Sequence, residues 1–134
     1  MTQVYVDVGA ASMEGASPEG AAPVDPHAIR ALETLAEEGI SVFLVTAGGA
    51  DPAPELRAAA QAVVDAVPSP TVEHSWYLTS DIERCVGSSA RLVTVFIGGA
   101  PAPGSVRRCD KVARDVQAAA MEILASEAMP APAD

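Results

Sequence analysis

Four short apolar runs, separated by helix-patterned stretches, constrain this chain more than any other feature. Residues 4–8 read VYVDV, 40–46 ISVFLVT, 76–79 WYLT and 92–97 LVTVFI. Runs of this length, rich in Val, Ile, Phe, Tyr and Thr, read as strands. Being apolar almost throughout, they predict strands buried on both faces, the mark of a parallel sheet. A helix is expected after the first. Asp25 suits its N-cap and Pro26 its first position. Ile29, Leu32, Leu35 and Ala36 recur at helical spacing, and Gly39 supplies the stop. A second helix is expected over 55–67, with Leu56, Ala60, Val63 and Val67 on one face. A third is expected over 105–128, with Val106, Cys109, Val112 or Ala113, Val116, Ala120, Ile123 and Leu124 inward.

Strands alternating with helices, joined by right-handed crossovers, predict an α/β three-layer sandwich with a small, mostly parallel Rossmann-like sheet. One domain over 1–128 is expected, with 129–134 a fraying tail, because 134 residues suit one core rather than two. The charge balance is 18 acidic against 8 basic residues, net −10. That argues against nonspecific nucleic-acid binding and against a polybasic membrane anchor. Cys85 and Cys109 are too few for a disulfide scaffold. No 18-residue apolar run exists, and the first ten residues carry no basic segment. A cytoplasmic protein is therefore the expectation, with no nucleic-acid or membrane partner. The alanine-rich last helix would allow a homodimer.

In an open parallel sheet, ligands bind beyond the carboxyl ends of the strands. Those ends carry Asp7 and Gly9, Thr46 with Gly48, and Ser80 with Asp81. Arg107, Arg108 and Lys111 are expected near the same edge, in the first turns of the last helix. Positive charge there opposes the helix dipole, so an anionic ligand or acidic partner is expected. The plainer reading is that Asp, Gly, Ser and Thr simply end strands and cap helices. His74 precedes the third run and is expected at the opposite edge; Trp76 and Tyr77 read as packing residues.

Over roughly residues 3–100, this arrangement resembles the haloacid-dehalogenase-like (HAD) phosphohydrolases. The family's first strand ends Asp-x-Asp-Gly-Thr, where this chain has Asp7-Val8-Gly9-Ala10-Ala11. Its second strand ends in Thr or Ser, here Thr46, and a later one leads to an acidic motif, here Ser80-Asp81-Ile82-Glu83-Arg84-Cys85. The resemblance implies that Asp7 is the nucleophile, with Thr46 beside it. It also implies that Asp7, the Gly9 carbonyl and Asp81 hold Mg²⁺. Gly48, Ser80, Arg107, Arg108 and Lys111 are the expected ligand contacts, and a small phosphorylated ligand or a protein the expected partner.

The departures bear on activity. The family's general acid falls at Gly9, which has no titratable atom, and its Thr at Ala11. No Lys lies between Thr46 and Asp81, and the late motif's second acid is Cys85. The chain's one lysine, Lys111, would lie about two strand spacings, roughly 10 Å, from the first strand. The loop over 9–24 is too short for a cap domain. The reading is a degenerate HAD-like pseudoenzyme, a ligand- or protein-binding accessory domain that keeps a magnesium site. The alternative is a Mg²⁺-dependent phosphatase or phosphotransferase using Asp7 as aspartyl nucleophile. A receiver-like domain fits less well, since its acidic pair, phosphoacceptor and late Lys have no counterparts here.

Overall fold

The computed structural model describes residues 2–11, 25–46, 54–65, 74–80, 92–98 and 111–128. It is an α/β fold built on one six-stranded, all-parallel sheet. The strands are β1 (Gln3–Asp7), β2 (Ser41–Val45), β3 (Ala62–Val64), β4 (Ser75–Thr79), β5 (Leu92–Ile97) and β6 (Lys111–Ala113). The helices are α1 (Pro26–Glu37), α2 (Pro54–Ala59) and α3 (Val116–Ala128), with a 3₁₀ turn at Val8–Ala11 after β1. The sheet order is β3-β2-β1-β4-β5-β6.

The caps of α1 follow from its sequence. The Asp25 carboxylate accepts from the His27 amide at 2.9 Å, with Pro26 at the first position. At the other end Gly39 takes φ +86°. Its amide bonds Ala36 O at 3.0 Å, and the Ile40 amide bonds Leu35 O at 3.0 Å. This double closure needs a left-handed residue, which glycine adopts without strain. Ala28, Ala31, Leu32 and Leu35 are the buried face.

Two elements differ from expectation. The helix expected over 55–67 ends at Ala59, and Ala62–Val64 form edge strand β3. The Gln61 amide reaches Val42 O at 2.8 Å, starting a ladder that outweighs the helical spacing of Val63. Short apolar runs with Val-Val are ambiguous by periodicity alone, and β-branching tips them to strand. The last helix starts at Val116, not near 105. Asp115 caps it, its carboxylate accepting from the Ala118 amide at 2.7 Å. Lys111–Ala113 instead pair with β5, Val95 opposite Lys111 and Ile97 opposite Ala113.

The strands are two-faced rather than uniformly apolar. One face carries Val4, Val6, Val42, Leu44, Trp76, Leu78, Val95 and Ile97, joined in one core with Leu32 and Leu35 of α1, Leu56 of α2 and Val116, Ala119, Ala120 and Ile123 of α3. All three described helices therefore pack on this face. The other face carries Tyr5, Asp7, Phe43, Val45, Ser75, Tyr77, Thr79 and Thr94, and Tyr5, Val45 and Tyr77 form a second, smaller cluster there. At the amino edge, Glu127 of α3 accepts from the Trp76 indole at 3.4 Å and lies 3.6 Å from the His74 imidazole. This places His74 at the end of the sheet opposite Asp7, as expected. No helix among the described residues is long and apolar enough to cross a membrane.

Candidate functional site

The strand order reverses direction between β1 and β4. From β1 the chain builds outward through β2 and β3, then returns to add β4, β5 and β6 on the other side. Open α/β sheets form their ligand crevice at such a switch point, beyond the carboxyl ends. Asp7 is the last residue of β1 and stands at this point.

Alternation along each strand decides what surrounds it. Tyr5 and Asp7 point to the same side. The register pairs Tyr5 with Tyr77 and Val6 with Leu78, so Tyr77 and Thr79 flank Asp7 on that side. The Tyr77 hydroxyl donates to Asp7 Oδ1 at 2.8 Å. The Thr79 hydroxyl donates to Oδ2 at 2.6 Å. Both oxygens of one carboxylate thus accept from one neighbouring strand. The contact with Thr79 has the short length of an O–H···O⁻ bond. All three residues are buried, Asp7 to 5% exposure. A carboxylate in such a place needs these donors, since stripping it of water uncompensated is costly.

The same face extends away from the edge. The Tyr5 ring stacks on Phe43 of β2, centroids 5.1 Å apart and planes 19° apart, and its hydroxyl donates to Gln3 Oε1 at 2.9 Å. Burial pushes the Tyr5 phenol above its ordinary 10.0. The 3₁₀ turn after Asp7 contains Gly9 and is anchored by Ala10, buried in the helix-side core. The turn also packs against β4.

The other expected site residues fall in different places. Thr46 follows β2, and its amide and hydroxyl both bond Val64 O, at 3.0 and 3.4 Å. Its hydroxyl is directed to β3, on the side of β2 away from β1. Ser80 follows Thr79 and is exposed. Lys111 opens β6 rather than lying in a helix, and its ammonium pairs with Glu122 of α3 at 3.0 Å. Asp81, Gly48, Arg107 and Arg108 lie outside the described residues. The expected acidic motif at 80–85 and both cysteines are largely or wholly outside them too.

Tyr77 and Thr79 are not among the expected site residues: Tyr77 reads as packing, and the polar groups expected at the end of the 76–79 run are Ser80 and Asp81. A signal existed. Gln3, Tyr5 and Asp7, and likewise Ser75, Tyr77 and Thr79, put polar groups at every second position. Counting by twos along two paired strands brings these sets together.

The fit to magnesium can be tested on the donors present. Mg²⁺ takes six oxygen acceptors in a near-octahedral shell and retains several waters. Asp7 instead faces two O–H donors and is almost wholly buried. No cluster of three or more His, Cys, Asp or Glu suited to a metal occurs among the described residues. Asp81, the other carboxylate expected at the ion, lies outside the described residues; within them, the hydroxyl donors on Asp7 do not suit the ion.

No family model matches the chain, and no curated protein matches it. What the fold defines is a class: an α/β protein with a Rossmann-like, all-parallel sheet, whose polar side chains gather at the β1–β4 switch point.

Proposed function

We propose that this chain is a cap-less, HAD-like domain that binds a small phosphorylated ligand or a protein partner at the carboxyl edge of its sheet and does not turn over phosphoesters efficiently. One observation carries the reading: both oxygens of Asp7, the only residue in the nucleophile's place, accept hydroxyl hydrogen bonds in a buried setting. Attack on phosphorus needs an oxygen lone pair that is accessible and in line. Hydrogen bonds lower its nucleophilicity, and burial blocks the approach. Gly9 adds a second deficit, because the missing general acid is worth about 10²- to 10⁴-fold. Lys111 does not offset the loss, being three strands from β1 and paired with Glu122.

The test is hydrolysis of a generic aryl phosphate with and without Mg²⁺, by the wild type and Asp7→Asn. The expected result is no turnover above background in either protein. Mg²⁺-dependent turnover in the wild type that Asp7→Asn abolishes would overturn the reading and restore an aspartyl phosphotransferase.

A further inference from the structure

The Asp7 carboxylate is where a divalent cation would bind if this domain worked by the chemistry its sequence resembles. Its surroundings suit a different partner. A hard cation is held by oxygen acceptors and carries water with it. Among the described residues, two hydroxyls donate to the Asp7 oxygens, Tyr77 at 2.8 Å on Oδ1 and Thr79 at 2.6 Å on Oδ2. Both come from β4, two residues apart on one face, so the sheet register alone places them. Each is itself buried and so cannot swing into solvent without disturbing the strand.

We propose that Tyr77 and Thr79 are positioning residues that reserve the Asp7 carboxylate for hydroxyl donors and thereby exclude a divalent metal from the carboxyl end of β1. The proposal rests on the reading of the domain as one without phosphotransfer, and names the groups responsible. Tyrosine and threonine supply what a metal would otherwise supply there: compensation of the buried carboxylate and a fixed rotamer.

The experiment is titration of the full chain with MgCl₂ and MnCl₂ by calorimetry, with circular dichroism to confirm folding. The wild type should give no saturable heat. The Tyr77→Phe/Thr79→Val double variant should give saturable heat, with an affinity at least about tenfold above the detection limit that bounds the wild type, the scale on which partners of a ligand tune metal affinity. Adding Asp7→Asn to that variant should abolish the gain. Thr79→Ser, which keeps the hydroxyl, should behave as the wild type. Both substitutions preserve side-chain shape; if the double variant does not fold, Thr79→Val against Thr79→Ser carries the comparison. Wild-type binding that depends on Asp7, or a folded Tyr77/Thr79 variant no more metal-responsive than the wild type, would overturn the proposal. A metal-blind double variant beside an inert wild type sinks this inference alone. Mg²⁺-dependent hydrolysis by the wild type sinks the functional reading beneath it.

Discussion

Thr79→Val offers the sharpest measurement of what the β1–β4 contact contributes. Valine matches threonine in shape, so little cavity is created and the lost donor dominates. Hydrogen bonds to charged groups are worth about 1.5–3 kcal/mol, and the partner here is left buried. With a donor at 2.6 Å, an expected loss of about 2 kcal/mol is reasonable. For a domain of this size that is a fall of roughly 6–8 °C in Tm. Total stability of about 5–15 kcal/mol leaves the variant folded. Asp7→Asn changes the account. The amide keeps one acceptor and turns an NH₂ towards the other hydroxyl, which can accept it. In that background Thr79→Val should cost less than about 1 kcal/mol, giving a coupling near 1 kcal/mol. Urea denaturation followed by tryptophan fluorescence reads all four proteins. Trp76 is the single tryptophan and is 2% exposed, so its emission reports unfolding directly. Additive costs for the two substitutions, or a loss below about 0.5 kcal/mol for Thr79→Val, would show that the hydroxyl does not hold the carboxylate.

Two further outcomes follow from named contacts. Burial raises the Tyr5 phenol above 10.0, so the folded chain keeps a proton that the unfolded chain releases. Stability should be full below that pH and decline as pH rises through and beyond it. Tyr5→Phe should flatten this alkaline decline in urea midpoints measured from about pH 9 upward, and an unchanged slope would refute the assignment. Asp25→Ala removes the acceptor of the His27 amide and should cost about 1 kcal/mol, read as a shift of the denaturation midpoint. A shift within error would mean that water replaces the cap.

Much of the frame was legible from residues alone, and the reasons are local. Asp25, Pro26 and Gly39 each act on backbone within a few residues of themselves, so α1 could be read from end to end. β5 runs over the six residues its composition marked out. What was not legible depends on distant partners. Val63 has helical spacing from Leu56, and only the open flank of β2 makes Ala62–Val64 a strand. Residues 111–113 likewise owe their strand to the edge of β5. At the candidate site, Asp7 stood out because a carboxylate ends an apolar run. Tyr77 and Thr79 did not, since 70 and 72 residues separate them from it and only the register of β1 on β4 brings them there.

That register also decides the role of the chain's one lysine. From β1 the order runs β4, β5, β6, so Lys111 lies three strand spacings away, about 14 Å. Distance is only half of it. Lys111 is opposite Val95, a member of the helix-side core, whereas Asp7 shares its side with Tyr77. Side chains alternate by twos, so the two groups stand on opposite faces of the sheet. No rotamer carries an ammonium through a packed sheet, and Glu122 on α3 is the partner its own face provides. The counting that sets two hydroxyls beside Asp7 thus sets the lysine beyond its reach. Charge neutralisation by lysine, which a phosphoryl acceptor in this position calls for, is denied by topology rather than by distance along the chain.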